Sequence, residues 1–169
     1  MIREATQKDL MNILDIYNDT ILNTTAVYAY KAQTLESRQI WYEQKRVEGF
    51  PILVCEQDNK VVGFATFGHF RAWPAYKYSI EHSVYVDKEY RKKGIGTSLM
   101  KELIAIANES EYMTLIAGID EANEESIAMH KNFGFVYSGT IRKAGFKFNK
   151  WLNLAFYQLE LNGPKKVLV

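Results

Sequence analysis

The stretch Tyr78-Ser79-Ile80-Glu81-His82-Ser83-Val84-Tyr85-Val86-Asp87-Lys88-Glu89-Tyr90-Arg91-Lys92-Lys93-Gly94-Ile95-Gly96-Thr97 decides how this chain is read. Its first part, to Val86, has the character of a strand. From Ile95 onward, apolar residues recur at Leu99, Leu103 and Ile106, the spacing of one helical face. A strand therefore runs through a glycine-containing turn straight into an amphipathic helix. Gly94 and Gly96 have no Cβ, so the backbone can curl tightly and approach a ligand closely. The first amides of a helix lack intrahelical partners, and the helix dipole adds positive potential there. Arg91, Lys92 and Lys93 add full charges. The turn is a predicted anion site, and a pyrophosphate is its natural occupant. It is not a Walker loop, which needs Gly-Lys-Ser/Thr after four spacer residues. Nor is it a dinucleotide fingerprint, because Leu99 stands where the third glycine belongs. The plain alternative is a tight turn with solvated lysines.

On the N-terminal side, Ile2 to Ala5 reads as a short strand. Thr6-Gln7-Lys8-Asp9 has the form of a helix start, and Leu10, Ile13, Leu14, Tyr17 and Ile21 follow at helical spacing. A second helix is predicted from Thr34 to Glu48, with Gly49 as its C-cap. Strands follow at Pro51–Glu56, Val61–Arg71 and Tyr78–Val86, the first two joined by the turn residues Asp58-Asn59-Lys60. Beyond the central helix come a strand at Met113–Gly118, a short helix at Glu124–Asn132 stopped by Gly134, and closing strands at Phe135–Tyr137 and Asn153–Leu161. The order predicts an α/β (α+β) fold, a mixed sheet covered by helices. No repeat or linker divides the chain, so one domain over residues 1–162 is expected, with 163–169 as a frayed tail.

Composition limits the function. Hydrophobic residues are 47% and charged residues 24% of the 169, an ordinary globular mix with a formal net charge of +1. So balanced a charge argues against nucleic acid or anionic membrane as partner. The N-terminus has no secretory pattern and no stretch reaches the length of a membrane span, so a soluble cytoplasmic protein is expected. The one cysteine, Cys55, lies in an apolar run and reads as a buried free thiol. His69, His82 and His130 show no metal-ligand spacing, and no metal is expected.

The turn Arg91-Lys92-Lys93-Gly94-Ile95-Gly96 resembles motif A of the GNAT acetyltransferase superfamily, Gln/Arg-x-x-Gly-x-Gly/Ala. Glu81-His82-Ser83-Val84-Tyr85-Val86, His130-Lys131-Asn132-Phe133-Gly134-Phe135 and Gly139-Thr140-Ile141-Arg142-Lys143-Ala144-Gly145-Phe146-Lys147 extend the likeness to one branch. That branch is the phosphinothricin and methionine sulfone/sulfoximine N-acetyltransferases. The resemblance implies the GNAT fold, a mostly antiparallel central sheet with splayed central strands flanked by helices. It implies acetyl-CoA as cofactor, with pantetheine on the backbone of Val84, Tyr85 and Val86. The pyrophosphate would sit on the amides from Lys92 to Thr97, and Asn123, Ser126 and Asn132 would lie near the cofactor. It also implies a homodimer.

Acetyl transfer to an amine requires loss of an ammonium proton, a donor for the oxyanion and protonation of the departing thiolate. Glu81, on an apolar strand, is the candidate base, since burial raises a carboxyl's pKa. A structural ion pair is the alternative. His130 stands where many GNAT enzymes carry a tyrosine, so it is a candidate acid or helper base. His82 faces the other side of the strand from Glu81 and reads as packing. For the acceptor, Arg71, Trp73, Pro74, Ala75 and Tyr76 are expected to form a wall, with Tyr28 as another. Arg71 or Lys77 could pair with a substrate carboxylate. The expected activity is acetyl-CoA-dependent N-acetylation of a small amino acid or analogue of the phosphinothricin or methionine sulfone/sulfoximine type. Acetylation of a protein, peptide or polyamine amine, and a non-catalytic acyl-CoA-binding module, stay open as alternatives.

Overall fold

A computed structural model describes all residues, Met1–Val169. Seven strands form one mixed sheet in the order β1-β2-β3-β4-β5-β7-β6. They are β1 (Ile2–Glu4), β2 (Ile52–Gln57), β3 (Lys60–His69), β4 (Ser79–Val86), β5 (Thr114–Asp120), β6 (Val136–Lys147) and β7 (Lys150–Glu160). The helices are α1 (Leu10–Asn23), α2 (Leu35–Glu48), α3 (Ile95–Glu109) and α4 (Glu124–Asn132). Two compact units share this chain, Met1–Gly68 with Ser83–Leu103, and His69–His82 with Ile104–Val169. The division falls within β4, which is continuous through it.

In the first unit β1 and β2 pair antiparallel, as do β2 and β3. The turn between β2 and β3 places Asp58 and Asn59 at positive φ, 49° and 61°, the conformation that two-residue hairpins favour. The apolar stripe of α1 (Leu10, Ile13, Ile16) packs on Ala5, Ile52, Val54 and Phe64 in one buried cluster. The Arg3 guanidinium grips both oxygens of Asp9 at 2.8 and 2.9 Å, tying β1 to the start of α1. Thr34 caps α2 by accepting from the Ser37 amide at 3.2 Å, and Gly49 ends it at φ 74°. Cys55 is buried and free.

In the second unit β4 and β5 are parallel, registered at Ser79↔Thr114, Ile80↔Leu115 and Glu81↔Ile116. β5 pairs antiparallel with β7, and β7 with β6. The last hairpin is longer than the sequence suggested. β6 runs twelve residues, not Phe135–Tyr137, and β7 starts at Lys150, not Asn153. Its turn puts Phe148 and Asn149 at φ 50° and 58° without a glycine, so no breaker announced it. Register shifts between Tyr137 and Gly139 and between Ile141 and Gly145 hide the alternation of β6. The segment 163–169, expected to fray, is hydrogen-bonded: Gly163 N–H donates to Tyr112 O at 3.1 Å and Leu168 N–H to Tyr78 Oη at 3.1 Å. Lys77 Nζ donates to the Leu168 carbonyl, which engages one of the two cations considered for a substrate carboxylate.

Candidate active site

Glu81 and His82 are neighbours on β4, so their side chains leave opposite faces of the sheet. Paired residues share a face, so the register sets Glu81 beside Ile116, with Gly118 and its partner Phe156 next along the same face. Gly118 makes room for the carboxylate: a Cβ there would meet Glu81 Oε1 at 3.1 Å, Leu154 Cδ1 at 3.4 Å and Phe156 Cε1 at 3.7 Å. A glycine inside a strand marks such close approaches. Glu81 is half-buried, and burial raises its pKa above the ordinary carboxyl value.

An aromatic step leads to this carboxylate. Phe70 meets Phe156 edge-on at 6.4 Å between ring centroids and Tyr76 at 6.0 Å. Pro74, Ala75 and Tyr76 form a 3-10 turn, with Tyr76 ring-packed and Trp73 73% exposed. Arg71 lies over the Phe70 ring at 5.4 Å and is exposed. The sequence singled out the segment from Phe70 to Tyr76 but not Gly118, Leu154 or Phe156, which stand beside Glu81. The glycine within an apolar strand was the one local signal for Gly118. Leu154 and Phe156 come from β7, and only register brings them beside Gly118. Tyr28 is exposed in the α1–α2 connection of the first unit.

His130 does not meet Glu81. It is buried in the last turn of α4, against His82 on the face opposite Glu81. Its Nε2 lies 3.0 Å from His82 Nε2, its Nδ1 2.6 Å from the Ser126 carbonyl oxygen, and Phe135 closes the cluster edge-on to both rings. Burial lowers the pKa of both histidines, that of His82 to about 3. His130 therefore lies across β4 from Glu81, because α4 packs on the other side of the strand. His82, read as packing, is part of a titratable pair.

The turn after β4 has the features of an anion cradle. Lys92 and Gly94 adopt φ 61° and 78°, and the place a Gly94 side chain would take is empty. α3 starts at Ile95, so the amides of Ile95, Gly96 and Thr97 are first-turn donors. Ile95 is buried and anchors the helix, while Arg91, Lys92 and Lys93 are exposed. Arg91 Nε donates to the Val86 carbonyl at 3.2 Å, and Lys93 Nζ stands 4.8 Å over the Tyr90 ring. Val84, Tyr85 and Val86 continue β4 past its last registered pair with β5, Glu81↔Ile116. Asn123 caps α4, its Oδ1 accepting from the Ser126 amide at 3.1 Å, and Asn132 is exposed at the other end. No cluster of three or more His, Cys, Asp or Glu side chains is placed to hold a metal ion.

Residues 12–135 match the acetyltransferase (GNAT) family. The chain belongs to that family. It is 37% identical to the L-methionine sulfoximine/L-methionine sulfone acetyltransferase of Salmonella typhimurium, over 95% of this chain and 94% of the relative. Among solved structures it resembles an N-acetyltransferase from Staphylococcus aureus at 54% identity (TM-score 0.95, covering 96% and 98% of the two chains). It also resembles a ribosomal-protein-alanine N-acetyltransferase from Brucella melitensis at 44% identity (TM-score 0.94, 95% and 99%). A phosphinothricin acetyltransferase from Sinorhizobium meliloti in complex with acetyl-CoA is 32% identical (TM-score 0.95, 100% and 92%).

Proposed function

We propose that this acetyltransferase transfers an acetyl group from acetyl-CoA to the amino group of a small amino acid or analogue of the methionine sulfone, methionine sulfoximine or phosphinothricin type. The observation that carries the reading is Glu81, a half-buried carboxyl with a raised pKa, seated over Gly118 at the end of the aromatic step from Tyr76 to Phe156. An amine reaches the enzyme largely as ammonium. Glu81 takes its proton, directly or through water, and a carboxyl with a raised pKa suits that task near neutrality. Tyr76, Trp73, Pro74 and Ala75 border the acceptor, and Arg71 supplies the cation for its carboxylate.

The open cradle at Gly94 suits a pyrophosphate held by the amides from Lys92 to Thr97, with Arg91, Lys92 and Lys93 screening its charge. The backbone of Val84 to Val86 suits the amides of pantetheine in the manner of an added strand. Asn123, Ser126 and Asn132 lie at the ends of α4, where the family resemblance expects cofactor contacts. Acetyl-CoA supplies a thioester open to attack. On this reading residues 1–162 work as one domain in the cytoplasm. Exposed apolar side chains on β6 and β7, among them Val136, Ile141, Phe146 and Trp151, suit a homodimer interface.

The test is thiol release from acetyl-CoA against a panel of amines. Release with methionine sulfone, methionine sulfoximine or phosphinothricin is expected. A second reading, a protein N-terminus as acceptor, is favoured by the likeness to the Brucella protein. Release with an alanine-initiated peptide and not with the amino acids would establish it.

A further inference from the structure

Helix α2 buries one residue, Arg38, which is 8% exposed, while Ile40 and Val47 of the same helix are 62% and 84% exposed. A helix held by packing alone would turn its apolar side chains inward. The Arg38 guanidinium carbon lies 4.4 Å from the centre of the Tyr17 ring and 4.7 Å from that of Trp41. Tyr17 meets Phe64 and Tyr85 edge-on, and Trp41 meets Phe64, so these rings form one wall along the cation. Ring faces attract a cation but leave its N–H groups without a full hydrogen bond. No carboxylate answers the charge. Burial acts on it most and lowers its pKa, and the phenols of Tyr17 and Tyr85 are the other groups that act on it. Its Nε is shut off from solvent and has no hydrogen-bond partner. The two terminal nitrogens are not shut off in that way, and they too have no acceptor in the chain. A buried charge is costly unless it is paired, and the chain supplies no pair. Tyr17, Trp41 and Tyr85 are each half-buried, so the ring wall reaches the surface.

The terminal edge of a guanidinium carries two parallel N–H groups, spaced for two acceptor atoms on one centre. Methionine sulfone, methionine sulfoximine and phosphinothricin share such a head: a tetrahedral sulfur or phosphorus that bears a methyl group and two heteroatom acceptors. We propose that Arg38 is the specificity residue for this head, its terminal edge donating to the two acceptor atoms while the Tyr17 and Trp41 rings take the methyl group. In phosphinothricin the head is an anion and completes an ion pair with the guanidinium. In the sulfone and the sulfoximine it is a strong dipole whose negative end meets the cation, a charge-assisted contact. Tyr85, whose phenol acts on Arg38, stands four residues beyond Glu81 on the same face of β4. The inference rests on the acceptor class of the proposed function. It assigns the side-chain head of the acceptor, leaving its amine to Glu81 and its carboxylate to Arg71.

Methionine is methionine sulfone without the two oxygens, so this pair of acceptors isolates the head. Arg38→Met keeps an unbranched apolar stem without charge or N–H groups, and Arg38→Lys keeps the charge without the fork. Arg38→Met should lower kcat/KM for methionine sulfone about tenfold or more, through KM, with KM for acetyl-CoA within about twofold. With methionine as acceptor the same substitution should cost about threefold or less. Arg38→Lys should lose most of the same discrimination, and it decides if Arg38→Met fails to fold. Equal losses with both acceptors, as packing or a contact to the shared carboxylate would give, overturn the proposal, and so does an unchanged preference for the sulfone. Calorimetric titration with coenzyme A present and no acetyl donor reads the site without turnover. Wild type should bind methionine sulfone about tenfold more tightly than methionine, and Arg38→Lys should bind the two within about threefold. No preference in wild type overturns the role of Arg38. A wild type that shows the preference yet releases no thiol with any amine overturns the acetyltransferase reading instead and leaves the Arg38 site standing.

Discussion

Two consecutive residues of β4 sit in opposite surroundings. Glu81 lies half-buried over a glycine, with aromatic rings leading to it. His82 is buried beneath α4 and bonded to a second histidine. Burial drives both toward neutrality, upward for the carboxyl and downward for the imidazole. The outcomes differ because a carboxyl with a raised pKa takes up protons more readily near neutrality, whereas a lowered imidazole resists them. Strand alternation alone creates this contrast, so one strand can present a base on one face and a shielded pair on the other.

The largest effect should come from the Glu81 face. Glu81→Gln is expected to lower kcat by about 100-fold or more while KM for acetyl-CoA changes little, read by steady-state thiol release. In wild type, kcat/KM should fall as pH drops through a Glu81 pKa above the ordinary carboxyl value, and the residual activity of Glu81→Gln should lack that limb. Equal loss of turnover and cofactor affinity would remove Glu81 from the role of base.

The His82 face should be read in stability. Its folded pKa of about 3 lies well below the unfolded value of about 6.5. Between those values the unfolded chain binds a proton that the folded chain refuses. Stability from this group is therefore intact above pH 6.5 and falls as the pH drops, by at most about 1.4 kcal/mol per unit. Urea unfolding at pH 7, 6 and 5 should show the decline, and His82→Gln should reduce its slope.

Gly118→Ala sharpens the contrast at smaller scale. The new methyl would stand 3.1 Å from Glu81 Oε1 and displace the carboxylate without touching the histidines. About tenfold lower kcat is expected, with unchanged histidine signals by NMR. The smallest effect belongs to the α4 cap. Asn123→Ala removes the bond to the Ser126 amide and should cost about 1 kcal/mol, a fall of a few degrees in Tm by calorimetry. A rise in KM for acetyl-CoA beyond that would give Asn123 a cofactor contact as well.

What the sequence disclosed follows the same division. The Arg91–Thr97 turn is contiguous, and its glycines, charges and helix start all speak locally, so its conformation was legible. The helix caps Thr34 and Gly49 and the stop at Gly134 were equally plain, because each is decided within four residues. Glu81 was singled out from its strand and from resemblance. Gly118 and Phe156 beside it were not found, since they reach Glu81 through sheet register across β4, β5 and β7. The partner of His130 was missed for the same reason. Alternation correctly sent His82 away from Glu81, but which helix waits on that side is a tertiary fact. β6 was cut short because its bulges and a glycine-free turn erase the period-two signal.

Cys55 has a practical consequence. The only thiol of the chain is 5% exposed, inside β2. A disulfide reagent added to native enzyme should therefore register the coenzyme A that turnover releases and very little from the protein. The same reagent in denaturant should count one thiol per chain, so a single chromophore can report both catalysis and the fraction of molecules that were folded while it occurred.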